Sequence, residues 1–121
     1  MSVAVVTGSR GGIGGATVAA FEAAGFTVHG VDRDDAFPHL ERLDALVCAH
    51  GISGRRYGDG PVDECTDEGW DTVIAENLTS VFRYARAAVP ALRANGGGIL
   101  GRNYDRDFHV TRQATHEFLK S

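Results

Sequence analysis

Apolar residues in this chain follow two rhythms. Val3-Ala-Val-Val-Thr7 and Asp44-Ala-Leu-Val-Cys-Ala49 are short, nearly unbroken apolar runs that pass straight into glycine or turn residues. Runs without polar alternation mark strands covered on both faces, as in a parallel sheet. Phe26 to Val31 reads as a further strand ending at Asp32. Between the first two strands the spacing turns helical, with Ile13, Ala16, Ala20, Phe21 and Ala24 predicting the packed face and Gly25 a left-handed cap. Phe37 to Leu43, with Pro38 at its first position, predicts a helix of under two turns crossing to the third strand. Ile52 to Asp63 is glycine-rich and charged, hence a loop. Thr66 then predicts an N-cap, with Asp67 and Glu68 where the helix dipole favours carboxylates. The stripe Trp70, Ile74, Leu78, Val81, Ala85, Ala88 and Leu92 predicts one long helix across 67–94, kinked in its last turns by Pro90. Asn95 to Gly98 ends it, and Ile99-Leu100 begins a fourth strand. Tyr104, Phe108, Val110, Thr115 and Phe118 recur at near-helical spacing and predict an amphipathic helix in the tail.

Strand, glycine turn, helix, strand and acid within 32 residues spell half of a nucleotide-binding βαβ unit. The expectation is an α/β, Rossmann-like doubly wound parallel sheet reduced to about four strands, in the order 2-1-3-4. Residues 1–101 would form this domain and 102–121 a divergent tail.

Bulk properties narrow the partners. A length of 121 residues allows one domain, and a net charge of −4 argues against nucleic acid or an anionic membrane surface. No apolar run approaches the ~20 residues that span a bilayer. The first residues lack the basic start and longer apolar core of a signal peptide. Cys48 and Cys65 have no metal-ligand spacing, so they read as reduced thiols and the protein as cytoplasmic.

The strongest motif is Thr7-Gly8-Ser9-Arg10-Gly11-Gly12-Ile13-Gly14. Gly8 permits the sharp exit from the strand, Gly12 lets backbone approach a diphosphate, and Gly14 allows close helix packing, while free amides at the helix start face the anion. Asp32 lies eighteen residues beyond Gly14, where a carboxylate accepts ribose hydroxyls and repels a 2′-phosphate. That favours NAD. The neighbouring Arg33 leaves NADP open, since a guanidinium can receive that phosphate.

The pattern T-G-x-x-x-G-x-G resembles the short-chain dehydrogenase/reductase family. Leu46-Val-Cys-Ala-His-Gly51 stands where the family has N-N-A-G, with Cys48 and Ala49 replacing both asparagines. Glu76-Asn77-Leu78 matches the family's helical asparagine, and Gly97-Gly98-Ile99-Leu100 its next strand start. The likeness covers residues 1 to about 100, with a strand missing after Asp32, so the chain resembles a truncated or internally deleted member. It implies a nicotinamide dinucleotide held by Thr7, Gly8, Ser9, Arg10, Gly12, Ile13, Gly14, Asp32, Arg33, Ala49 and Gly51. Arg10 sits one place from the family's usual basic position. The likeness also implies hydride transfer to or from an alcohol or carbonyl, with Asn77 in a proton relay, and helix-to-helix packing between subunits through 67–94.

The catalytic half of that resemblance is missing. The family uses a serine and a Tyr-x-x-x-Lys pair, but Lys120 is the sole lysine and His116 stands four places before it. Tyr104 follows the fourth strand, with Phe108 at the lysine position. A phenol of pKa ~10 with no cation beside it is a poor acid–base group at neutral pH. Two functions stay open: an impaired oxidoreductase, or a non-catalytic NAD-binding module that partners a full-length homologue. His50 and Cys48 read as turn and packing residues.

Overall fold

The computed structural model describes residues 2–101. Four strands, β1 (Val3–Thr7), β2 (Thr27–Val31), β3 (Ala45–Cys48) and β4 (Gly98–Gly101), form one parallel sheet in the order β2-β1-β3-β4. Helices α1 (Gly12–Ala23), α2 (Asp67–Ile74) and α3 (Ser80–Arg93) are the long connections that parallel strands require.

Period-two alternation sends successive strand residues into two cores. Val5, Val31, Leu46 and Cys48 pack with Leu43, Ala88, Ala91 and Leu92 on the α3 face, while Val6, Val47 and Ala49 pack with Val18, Phe21 and Val28 on the α1 face. Helices on both faces make the sheet doubly wound, as the sequence implies.

The α1 face matches expectation at Phe21 and differs elsewhere. Gly14, Val18 and Phe21 turn inward, whereas Ile13, Ala16, Ala20 and Ala24 are exposed. Alanine occurs on every side of this helix, so its spacing carries no directional information. Gly25 does close the helix, at φ +88°.

The long helix also departs from one stripe. A π-helical turn, Ala75–Thr79, joins α2 to α3. Val81, Ala85, Ala88 and Leu92 pack toward the sheet, but Trp70 and Leu78 are 63% and 48% exposed. The cause lies in what holds α2. Thr66 Oγ1 accepts from Gly69 N (3.0 Å), as predicted for the cap, and donates to Tyr57 O (3.1 Å). Gly69 is buried against the backbone of Gly58 and Asp59. Helix α2 is therefore docked on the loop containing the 3₁₀ turn Arg55–Tyr57, and its outer face has no sheet beneath it. Past Pro90, α3 continues as α-helix to Arg93, and a departure from α geometry lies at Ala75–Thr79.

No helix forms across Phe37–Leu43. Fewer than two turns nucleate poorly, and the segment instead runs extended enough to drop Phe37 and Leu40 onto the α3-side core and bury Leu43 completely. The predicted tail helix lies outside the described residues.

Asp44 ties the amino-terminal edge of the sheet. Its carboxylate accepts from Val3 N (2.7 Å), from Arg42 and from Asn95 Nδ2, while its backbone accepts from Gly98 N (3.1 Å) and donates to Val3 O (2.8 Å). The Val3 amide, then Arg42 and Asn95, hold its carboxyl below the ordinary 3.8. A depressed carboxyl stabilises the fold above its unfolded value, and that contribution disappears as pH falls through the lower folded value. Thermal melts of Asp44→Asn should therefore lie below those of the unmodified chain at neutral pH, with the gap closing as pH drops below about 4.

Candidate functional site

Strand register builds the site. Thr7 pairs with both Val31 and Cys48, so β1, β2 and β3 end level and Gly8, Asp32 and Ala49 emerge side by side. A crevice of about 600 Å³ opens over these ends. Its floor is Gly8, Gly11, Gly12, Ile13 and Gly14; one wall is Asp32 and Arg33; the other runs through Ala49–Ile52 to Ala75, Glu76, Ser80, Arg83 and Tyr84.

Each motif glycine has a separate physical reason. Gly8 sits at φ +65°, and a Cβ there would stand 2.9 Å from His50 N. A Cβ on Gly14 would overlap the Gly8 carbonyl, so only glycine lets α1 start this close to the strand exit. At Gly12 a Cβ would meet nothing within 4 Å. Packing does not require glycine there, and the space over it belongs to the crevice. The N-cap, Gly11, offers no side-chain acceptor, and the first turn of α1 holds no acid. Its leading amides thus keep the partial positive charge that binds anions.

Asp32 locks this turn to β2. Its Oδ2 accepts from Arg10 N (3.0 Å) and lies 3.4 Å from Arg10 Nε, and its Oδ1 accepts from Arg33 N (3.0 Å). The two backbone donors hold its carboxyl below the usual value, so it is ionised at neutral pH. A carboxylate has about four acceptor sites, which leaves capacity for further hydroxyl donors. Arg33 reaches over to Glu76, with Nη2 3.3 Å from Oε2.

The opposite wall is held by side-chain bridges. Ser80 Oγ donates to Glu76 O (2.7 Å), so it accepts from His50 Nε2 (2.5 Å); His50 Nδ1 is then the acceptor for Thr7 Oγ1 (2.5 Å). Both ring nitrogens are engaged, and burial lowers the His50 pKa below 6.5 despite the raising influence of Glu76 and Asp32. Asn77 clamps the loop after β3, accepting from Ile52 N (2.8 Å) and donating to Ile52 O (2.9 Å). Cys48 is buried, which pushes its thiol up to about 11 and makes it inert packing, as expected.

Of the sequence-predicted residues, the crevice brings together Gly8, Gly12, Ile13, Gly14, Asp32, Arg33, Ala49 and Gly51. Thr7 is fully buried behind it, Ser9 packs its side chain over Gly30 of β2, and Arg10 meets Asp32 at the rim. Asn77 does not line the crevice; its amide is committed to Ile52. Tyr104 lies outside the described residues. Sequence reasoning missed Glu76, Ser80, Arg83 and Tyr84, and gave His50 a turn role only. A spacing of three to four from Glu76 through Ser80 to Arg83 and Tyr84 is the signal that they share a face.

Among the described residues no helix is long and apolar enough to cross a membrane, and no cluster of ligands could hold a metal. Level strand ends, a glycine turn opening a helix and an ionised strand-end carboxylate define a Rossmann-like domain. A family model described as enoyl-(acyl carrier protein) reductase matches residues 34–116, more than half of the chain. The chain belongs to the short-chain dehydrogenase/reductase family. It is 42% identical over 100 residues to an uncharacterized NAD-dependent oxidoreductase of Mycobacterium tuberculosis, an alignment covering 71% of this chain and 35% of that protein. A 3-ketoacyl-ACP reductase of Sinorhizobium meliloti superposes with a TM-score of 0.69 at 28% identity, over 82% of this chain and 52% of that one. A short-chain dehydrogenase of Shigella flexneri complexed with NADP shares the fold, with a TM-score of 0.67 at 19% identity over 83% and 57% of the two chains. The chain thus spans about a third of the length of the Mycobacterium relative and half that of the Sinorhizobium structure.

The depressed His50 value has a measurable sign. A buried neutral imidazole stabilises the fold above its unfolded value of 6.5, and protonation of the unfolded chain draws that away as pH falls. Urea melts should show stability declining below about pH 6.5, with the decline missing from His50→Gln.

Proposed function

We propose that this chain forms the dinucleotide-binding part of an NAD(P)-dependent oxidoreductase and takes NAD in preference to NADP. One observation carries the reading: the open glycine turn, with its free helix amides, stands beside an ionised strand-end carboxylate in one crevice. The amides of Gly12 and Ile13 would hold the diphosphate, and Asp32, with acceptor capacity left, the adenosine ribose. Ala49 and Gly51 offer backbone on the other wall. Bound there, the nicotinamide supplies hydride exchange with an alcohol or carbonyl.

The preference for NAD rests on Asp32, whose negative charge opposes a 2′-phosphate. On its own the chain would turn over little. Its sole lysine is Lys120, and no tyrosine has lysine four places on. Tyr84 borders the crevice, but burial above all pushes its phenol above the ordinary 10.0, away from an acid useful at pH 7. Asn77, with its amide fixed on Ile52, serves to position the loop rather than to move a proton, and Tyr104 has Phe108 rather than lysine four places on. A second reading, a non-catalytic binding subunit for a full-length homologue, draws support from the exposed row Trp70, Leu78 and Phe82 (63%, 48% and 59%), an apolar face suited to helix-to-helix pairing within 67–94. A cytoplasmic setting agrees with two free cysteines.

Calorimetry with NADH should give measurable binding heat, and Gly12→Val should weaken it at least about tenfold because a branched side chain fills the diphosphate position. The same substitution should leave the melting temperature within about 2 °C, since no protein atom meets a Cβ there. Absence of heat with the unmodified chain would refute the reading. Purified chain given NAD and a panel of short alcohols should form NADH no faster than the Gly12→Val control. Sustained turnover above it would refute the impairment.

A further inference from the structure

We propose that Glu76 is a second determinant of cofactor choice, acting by holding the Arg33 guanidinium away from the position a ribose 2′-phosphate would take. The inference rests on the dinucleotide reading above and adds a residue that neither the glycine motif nor Asp32 accounts for.

Two guanidinium groups reach the rim where the adenosine ribose would lie, and each is matched by one carboxylate. Arg10 Nε lies 3.4 Å from Asp32 Oδ2, and Arg33 Nη2 lies 3.3 Å from Glu76 Oε2. Arg33 is the better placed for a phosphate. Its backbone amide is fixed on Asp32 Oδ1 (3.0 Å), so its side chain starts directly beside the ribose-binding carboxylate. A free arginine in that place would receive a phosphate through two parallel N–H donors. Here its guanidinium points across the crevice instead, toward the π-helical turn Ala75–Thr79 that carries Glu76.

Stability does not explain the pair. The side chains are 60% and 35% exposed, and ion pairs in such settings add little to folding. The effect lies in direction and in charge. A 2′-phosphate would have to draw Arg33 off Glu76, which leaves that carboxylate unpaired and facing the added negative charge. NAD carries no such group and disturbs neither pair. Arg83 lines the same crevice, and among the described residues it has no carboxylate partner. Any gain routed through Arg33 must therefore be separated from one routed through Arg83 or from simple loss of repulsion.

Fluorescence titration of NADH and NADPH at low salt makes that separation, using the unmodified chain, Glu76→Gln and the double variant Glu76→Gln/Arg33→Gln. Glu76→Gln should strengthen NADPH binding about three- to fivefold while shifting NADH by less than about twofold, the scale of an exposed ion pair. The double variant should lose the gain. An unchanged NADPH-to-NADH ratio in Glu76→Gln overturns the proposal, as does a gain that survives in the double variant or a preference for NADPH in the unmodified chain. If the unmodified chain binds neither nucleotide, the dinucleotide reading itself falls and takes this one with it. If it binds NADH and only the ratio fails to move, the role of Glu76 alone is lost.

Discussion

The close contact between the first turn of α1 and the exit of β1 governs the rest of this molecule. Gly14 lies against the Gly8 carbonyl with no room for a Cβ, and Gly8, at φ +65°, lies close against the backbone of Ala49 and His50. Three elements therefore meet in one turn: the end of β1, the start of α1 and the segment leaving β3. Any added methyl group would lift the helix off the sheet and swing its leading amides away. With glycine at both positions, those amides face the space above the level ends of β1, β2 and β3. Steric exclusion at two glycines thus sets the position of the electrostatic feature that makes the crevice suited to an anion.

Polar ties hold what the glycines position, and the two ends of the sheet use them differently. At the amino-terminal edge, Asp44 gathers Val3, Arg42 and Asn95, a purely structural clasp. At the carboxyl end, Asp32 fixes the glycine turn to β2, His50 links β1 to the helical segment through Thr7 and Ser80, and Asn77 holds the loop at Ile52. Among the described residues no buried side-chain nitrogen or oxygen lacks a partner. The carboxyl-end ties differ in one respect. Asp32 retains acceptor sites facing open space, whereas the amides of Asn77 and the ring of His50 have both ends engaged.

Legibility followed the strength of the local physics. Strand cores of valine, leucine and alanine, the glycine motif and Asp32 announced the parallel sheet, its order and the crevice, because buried parallel strands and tight turns tolerate few other residues. The Thr66 cap was readable for the same reason. Helix faces were not. Alanines at 16, 19, 20, 23 and 24 surround α1, so of the inward row only Phe21 stood out, and Gly14 and Val18 had no contrast to mark them. The row Trp70–Leu92 looked continuous, yet a π-helical turn shifts the phase at Ala75–Thr79 and the underlying support changes from loop to sheet. His50 and Glu76 were undervalued because their roles depend on partners 30 and 43 residues away, Ser80 and Arg33. Long-range pairs of that kind leave no trace in local spacing.

Among the described residues, the titratable groups around the crevice fall into a neutral set and a charged one. A proton-transfer residue works best with a pKa near the operating pH. Three side chains near the crevice could in principle move a proton, and all three are tuned away from that task. Burial sends the Cys48 thiol to about 11, raises the Tyr84 phenol and lowers the His50 imidazole, leaving each neutral at pH 7. Charge at this end of the sheet is instead concentrated at the rim, on Asp32, Glu76, Arg10 and Arg33, with Arg83 on the helical wall. Neutral groups at His50 and Tyr84 beside these charges suit a ligand with a polar, hydroxyl-bearing end and a flatter, less polar one. That asymmetry suits the dinucleotide proposed for the crevice.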